Sequence, residues 1–299
     1  MKKDAFFISD STTLAKSASA LRLRSRLIAE EMKSGNFASI FKGQGIEFAG
    51  VREYLFGDDA RTIDWNVTAR MDRAYIKQYE EEREQTVFLI VDRSLSMETG
   101  SDTYTRLNIA TETAALLLLA AQNNACPVGT VLFDGKITFS CTPKKGAENT
   151  MLILTKLAQR NQSVTQGSCL SNSIQGAEKL LKKRSMVFII SDFRAPDYEK
   201  NLARLSQRHD VVAIQIVDNN DSELPHMGLI CIHDPETKST KEFDTQSKEF
   251  QQLWRENNKQ SISRWKYMCE RHGVIPLVIS TTDDPAIRLA RFFAMKEKI

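Results

Sequence analysis

The sequence predicts an α/β protein. A three-layer sandwich with a mostly parallel central sheet is expected over residues 84–299, and an N-terminal extension over residues 1–83 is expected to pack on it. Three observations carry this expectation. Short apolar runs of strand formers, such as Val87-Phe88-Leu89-Ile90-Val91 and Met186 to Ser191, suit strands buried on both faces. From residue 86 onward, such runs alternate with helix-length amphipathic segments. Two of the runs turn polar at an aspartate, Asp92 and Asp192, and the carboxyl ends of strands in open α/β sheets are where ligands bind.

In chain order, residues 12–34 read as a basic helix carrying Leu14, Leu21, Leu23, Leu27, Ile28 and Met32, docked with one face in solvent. Residues 35–50, rich in Gly and Phe, read as loop. In Val51 to Trp65, Gly57 makes a turn and Asp58 or Asp59 caps a short helix. Phe48, Tyr54, Phe56 and Trp65 read as buried anchors of this segment. Asp58, Asp59 and Asp64 form either a second metal site or, with Arg52, Arg61 and Arg70 at hand, an Arg–Asp network. Residues 74–80 suit an exposed strand.

The strand at Val87 is followed by a buried helix from Leu107 to Asn124 and a hairpin, Val128 to Phe133 and Ile137 to Cys141, around Asp134-Gly135. Helices follow over Gly146 to Gln159 and Cys169 to Lys183, on either side of a polar loop at 161–168. Next come the strand Met186 to Ser191, a helix from Asp197 to His209 and the strand Val211 to Val217. A second hairpin pairs Leu229 to His233 with Ser239 to Phe243. A long helix from Phe250 to His272, a strand from Val274 to Ile279 and a helix from Asp284 to Ala294 complete the pattern.

Composition narrows the function. With 41% hydrophobic and 26% charged residues, the 299-residue chain can build a packed core. A net charge of +3 leaves no electrostatic footprint for nucleic acid. The five cysteines (Cys126, Cys141, Cys169, Cys231 and Cys269) are scattered without a Cys-x-x-Cys pair, which argues for a reducing compartment. The longest apolar run, Ala114 to Ala121, falls far short of the ~20 residues that cross a bilayer. Residues 1–20 contain no apolar signal core. A cytoplasmic protein without an integral membrane segment is expected. His209, His226, His233 and His272 have no metal-ligand spacing, and neither a nucleophile elbow nor a phosphate-binding loop is present.

Asp92-Arg93-Ser94-Leu95-Ser96 puts one carboxylate and two hydroxyls at alternate positions of one loop. Hard cations such as Mg2+ take oxygen ligands of this kind. Asp192 ends another strand, and a hydroxyl-rich loop, 163–171, lies between the two in sequence. A doubly wound sheet can bring all three loops to one crevice.

Asp92-x-Ser94-x-Ser96 resembles the metal-ion-dependent adhesion site of von Willebrand factor A domains. A wider pattern comprises Gly45-x-Glu47-Phe48, Arg52-Glu53-Tyr54, Gly57-Asp58-Asp59-x-Arg61-x-Ile63-Asp64-Trp65, Ala69-Arg70, the Asp92 motif with Met97, and Ser191-Asp192-Phe193. This combination is similar to the bacterial domain-of-unknown-function family fifty-eight. Members of that family carry a von Willebrand factor A-like domain behind this N-terminal signature. The resemblance implies one bound ion, Mg2+ or alternatively Mn2+ or Ca2+, held by Asp92, Ser94, Ser96, Ser168 and Asp192, with Thr165 as the alternative to Ser168. It also implies a MoxR-type AAA+ ATPase as partner and a setting in complex maturation or stress tolerance.

Two functions are compatible with such a site. One is a non-enzymatic binding module that captures an Asp or Glu of a partner or client protein. The other is a metal-dependent hydrolase of phosphate esters, which needs a base near metal-bound water or a second metal. Hydroxyl-dominated coordination without a nearby histidine favours the binding module, so no catalysis is expected.

Overall fold

The computed structural model describes residues 11–33, 46–71, 73–81, 85–100, 104–159, 169–222, 228–233 and 240–294. The chain forms two units, Met1–Phe41 with Thr86–Ile299, and Lys42–Gln85.

The smaller unit is built on an antiparallel pair, β1 (Ile46–Glu53) and β2 (Tyr75–Glu81). The expected loop at 35–50 therefore gives way to strand from Ile46 onward, because β2 supplies the pairing partner. Between the strands lie a 3-10 turn, Ala60–Thr62, and a short helix, α2 (Trp65–Met71). Gly57 has φ 109°, a conformation open to glycine at little steric cost. Asp59 caps the 3-10 turn by accepting from the Arg61 amide at 3.0 Å. Asp64 accepts from the amides of Asn66 and Val67 at the start of α2. Asp58 receives two hydrogen bonds from the Arg52 guanidinium, 2.7 and 2.8 Å, and one from the Leu55 amide. Arg52 and Leu55 together hold the Asp58 carboxyl below the usual carboxylate range. Each of the three acids thus serves the local backbone or Arg52. The buried-anchor expectation fails at Phe56 and Trp65, whose side chains are 106% and 70% exposed. Tyr54 is half-buried, and the Phe48 side chain lies outside the described residues.

The larger unit holds a six-stranded sheet. Its strands are β3 (Val87–Asp92), β4 (Val128–Phe133), β5 (Ile137–Lys144), β6 (Met186–Ser191), β7 (Asp210–Val217) and β10 (Ile275–Ser280). They lie in the order β10-β7-β6-β3-β4-β5. Pairings are parallel except at the β5 edge, which runs antiparallel to β4. β3, β4 and β6 are buried along their whole length, which explains their continuous apolar composition.

Alternate residues feed two cores. Val87, Leu89 and Val91 face one side, together with α1 (Ser11–Lys33), α3 (Arg106–Asn123), α4 (Ala147–Ala158) and α9 (Pro285–Ala294). Phe88 and Ile90 face the other side, with α5 (Leu170–Leu180), α6 (Glu199–Ser206) and α8 (Lys248–Arg271). A one-turn helix, α7 (Asn219–Ser222), follows β7, and a separate hairpin pairs β8 (Leu229–His233) with β9 (Thr240–Asp244). α/β layering with a mostly parallel sheet is therefore as expected.

The N-terminal helix is a full member of this core. Leu21, Ile28, Ala29 and Met32 are buried in the first cluster, with Ile28 at 0% exposure. Arg24 bridges Glu112 on α3 and Asp284 before α9. Asn124 donates to the Ala29 carbonyl at 3.0 Å. The larger unit therefore includes the N-terminal stretch Met1–Phe41, with α1, as well as Thr86–Ile299.

The order fixes where a site can form. The chain runs from β3 outward to β4 and β5, then returns to place β6 on the opposite side of β3. The order reverses between β3 and β6, and the carboxyl ends of these two neighbours carry Asp92 and Asp192.

Candidate metal-binding site at the carboxyl edge

Asp92 is the last residue of β3 and is 1% exposed. The chain folds back immediately, and the Ser94 amide donates to Asp92 Oδ1 at 2.9 Å. Ser94 then opens a 3-10 turn, Leu95–Glu98, without capping it through its side chain. Its hydroxyl instead lies 3.1 Å from that of Ser96. Met97, fully buried, anchors the turn.

Asp92 Oδ2 accepts a 2.7 Å hydrogen bond from the Ser191 hydroxyl at the end of β6. Ser191 Oγ in turn accepts from the Phe193 amide at 3.0 Å. Phe193 has φ 55°, a left-handed conformation that costs an L-residue roughly 1–2 kcal/mol. Packing against Trp265 (5.1 Å between ring centroids) and Tyr198 (5.6 Å) holds it there. Asp192, 5% exposed, lies between Ser191 and Phe193 in the chain. Its Oδ1 accepts from the Arg194 amide at 3.2 Å. Its Oδ2 is buried and has no hydrogen-bond partner among the described residues; Arg194 Nε stands 3.9 Å away.

Burial pushes the Asp92 carboxyl up to about 6. Hydrogen bonds from Ser191 and Ser94 pull against that, and the nearby Asp192 adds to it. Two buried carboxylates, one with an unmatched oxygen, beside two converging hydroxyls fit a divalent cation. Among the described residues no three or more His, Cys, Asp or Glu side chains gather as metal ligands. Any ion here would depend on hydroxyls. Asp92, Ser94, Ser96 and Asp192 are thus brought to one edge, while Ser168 and Thr165 lie outside the described residues.

Buried basic groups brace this edge. Arg106, 4% exposed, donates to both oxygens of Asp221 at 2.8 and 2.9 Å. Its other terminal nitrogen donates to the Ser96 carbonyl at 3.2 Å and to Thr99 Oγ1. Asp221 also receives Arg194 Nη2 at 2.7 Å. The loop after β3 is thereby tied to the loop after β7 and to the residue flanking Asp192. Arg93, within the motif itself, donates to the Lys156 and Gln159 carbonyls at the end of α4, just before residue 160.

Some of these residues escape a sequence reading. Ser191 looks like the last letter of an apolar run, and Arg106 and Asp221, 115 positions apart, carry no shared pattern. Asp134 reads as a hairpin turn, yet it is 3% exposed at the end of β4 and its Oδ2 has no hydrogen-bond partner among the described residues. Asp218 follows β7 and accepts from Thr281 Oγ1 at 3.0 Å. The signal available was positional: β3, β4, β6 and β7 each end at or just before an aspartate. Asp58, Asp59 and Asp64 belong to the smaller unit and form no cluster with one another. His209 lies at the amino edge of β7, the opposite end of the sheet, and His272 pairs with Glu199 at 2.9 Å. His226 lies outside the described residues. Cys126, Cys141, Cys169 and Cys269 are free thiols. Among the described residues no helix is long and apolar enough to cross a membrane.

Comparison with known proteins gives relatives of unassigned role. An uncharacterized protein of Mycobacterium tuberculosis is 28% identical over 237 residues, covering 78% of this chain and 74% of its own length. An uncharacterized protein of Mycobacterium avium is 37% identical over 75 residues, covering 25% of this chain and 44% of its own length. Among solved structures, an aerotolerance-related membrane protein from Bacteroides fragilis aligns with a TM-score of 0.49 at 14% identity, over 69% of this chain and 96% of that one. The pilus adhesin SpaC of Lactobacillus rhamnosus GG aligns with a TM-score of 0.46 at 11% identity, over 86% of this chain and 36% of that one. A family model described as "Protein of unknown function DUF58" matches residues 50–263, and with most of its length so matched the chain belongs to that family.

Proposed function

We propose that this protein is a metal-dependent protein-binding module of von Willebrand factor A-like architecture, acting in the cytoplasm with a MoxR-type AAA+ ATPase or a client it presents. The observation that carries the reading is the convergence, at the β3/β6 reversal, of Asp92, the Ser94 and Ser96 hydroxyls 3.1 Å apart, and Asp192 with its unmatched Oδ2. The strand order, with β5 alone antiparallel at one edge, supports the architecture. The ATPase partner rests on the family resemblance.

Ser94 and Ser96 would ligate the ion through neutral oxygens, and Asp92 and Asp192 would balance its charge, with Ser168 or Thr165 completing the set. A divalent cation held by so few charges supplies an open position for a carboxylate oxygen from another protein. The chain's own part is positioning. Ser191 and the Ser94 amide orient Asp92, while Arg106 and Asp221 keep the Ser94–Ser96 turn in place. The absence of an imidazole at this edge, among the described residues, favours binding over hydrolysis.

Surface plasmon resonance against a purified MoxR-type ATPase tests the reading. The complex should weaken in EDTA and in Ser94→Ala/Ser96→Ala. Unchanged affinity in both would remove the ion from the mechanism. Metal-dependent phosphoester turnover abolished by Asp92→Asn would favour the hydrolase instead.

A further inference from the structure

Two helices of the first layer, α1 and α4, pack on α3 and leave a groove of about 570 Å3 between them. Its α3 lining runs from Thr111 to Asn123, which at ~1.5 Å per residue is about 18 Å, or roughly three helical turns. The reachable lining is apolar. Leu119 and Leu154 are half-buried, Ala147 and Ala158 are exposed, and Met151 is 51% exposed. Two hydroxyls of the lining are spent on their own helices. Thr111 Oγ1 donates to the Leu107 carbonyl at 2.7 Å, and Thr155 Oγ1 donates to the Met151 carbonyl at 2.8 Å. A groove of this kind takes the apolar face of an amphipathic helix.

Charge narrows the occupant. Among the described residues the lining contains no acid, and its charged members are Arg22 and Arg26 on α1. Both are exposed, and neither has an ion-pair partner among the described residues. Arg24, between them in the chain, is engaged by Glu112 and Asp284. Residues four apart are neighbours on a helix surface, and like charges so placed repel. A helix lying along the groove can carry two acids at the same spacing, one for each arginine. A fatty acid brings a single carboxylate, and a flat bilayer surface leaves a concave groove unfilled.

We propose that this groove seats an amphipathic helix of a partner protein, with its apolar stripe on α3 and α4 and two acidic residues one turn apart on Arg22 and Arg26. The groove shares no lining residue with the Asp92 edge and requires no ion. It is a second docking surface, independent of the metal-binding reading above.

Fluorescence anisotropy on the full chain in EDTA tests it with two labelled peptides of about 18 residues, long enough to form helix in water. Both carry leucines at i, i+3, i+4 and i+7. One has a pair of glutamates at i, i+4 on the flank of that stripe, and the other has lysines there. The glutamate peptide should bind saturably and ~10-fold more tightly than the lysine peptide. Arg22→Glu/Arg26→Glu, at exposed positions, should invert the preference. Met151→Asn removes apolar contact and no charge, and should weaken the glutamate peptide by ~5-fold. Circular dichroism checks that each variant is folded. Equal affinity for both peptides, a preference that survives the charge reversal, or unchanged affinity in Met151→Asn would overturn the proposal. So would saturable binding of palmitate or of phosphatidylserine vesicles without binding of the glutamate peptide, which would assign the groove to lipid.

Discussion

The Ser191 hydroxyl donates to Asp92 Oδ2 at 2.7 Å, joining the ends of two adjacent parallel strands at the point where the sheet order reverses. Ser191 is 0% exposed and also accepts from the amide of Phe193. One hydroxyl therefore orients the first carboxylate of the site and fixes the turn that carries the second. Ser191→Ala should lower affinity for Mn2+ by roughly 10-fold or more, since lost partners of metal ligands typically cost ~10–100-fold. Ser191→Thr, which keeps the hydroxyl, should restore part of it. Mn2+ electron paramagnetic resonance measures both.

Asp92 should destabilise the metal-free protein. Its folded-state value of about 6 lies above the ordinary 3.8, so the folded protein binds more protons than the unfolded chain between these values. Stability contributed by this group is then present at low pH and declines as pH rises from about 4 through about 6. At pH 7.5 the loss is at most about 3 kcal/mol. Asp92→Asn should melt higher than wild type in EDTA at pH 7.5, and added Mg2+ should raise the melting temperature of wild type only. Asp92→Ala is a poorer probe, because it leaves the Ser191 hydroxyl and the Ser94 amide without their acceptor.

Arg106 is buried and donates to both oxygens of Asp221, and its removal leaves Asp221 with the exposed Arg194 as its remaining cationic partner, beside the Asp218 amide. Arg106→Leu should cost about 3–5 kcal/mol in urea unfolding. Because the Ser96 carbonyl also loses its donor, metal affinity should fall in parallel.

α1 should contribute far more stability to the larger unit than its basic sequence suggests. Ile28→Ala should cost about 2–5 kcal/mol, as for a fully buried aliphatic side chain. A fragment of residues 84–299, which lacks α1, should melt well below the full chain. Trp65→Ser, at an exposed position, should change unfolding free energy by no more than about 0.5 kcal/mol.

Much of this was legible in the sequence for a physical reason. Strands buried on both faces must be continuously apolar, and they stop where the chain meets a polar edge, so Val87-Phe88-Leu89-Ile90-Val91 announced both a strand and the position of Asp92. The turn chemistry of Asp59 was equally local. Contacts between distant positions were not legible. Ser191 to Asp92, Arg106 to Asp221 and Arg24 to Glu112 depend on which strands and helices become neighbours. Phe56 and Trp65 misled because aromatic residues suggest burial while their accessibility depends on packing partners, and both are exposed.

The central claim is that Asp92, Ser94, Ser96 and Asp192 hold a divalent cation. Isothermal titration of Mg2+ and Mn2+ into metal-free wild type, Asp92→Asn and Ser94→Ala/Ser96→Ala tests it most directly. The account predicts one ion per wild-type chain and none in either variant, with both variants folded by circular dichroism. Equal binding by all three proteins, or no binding by wild type at millimolar metal, would contradict it.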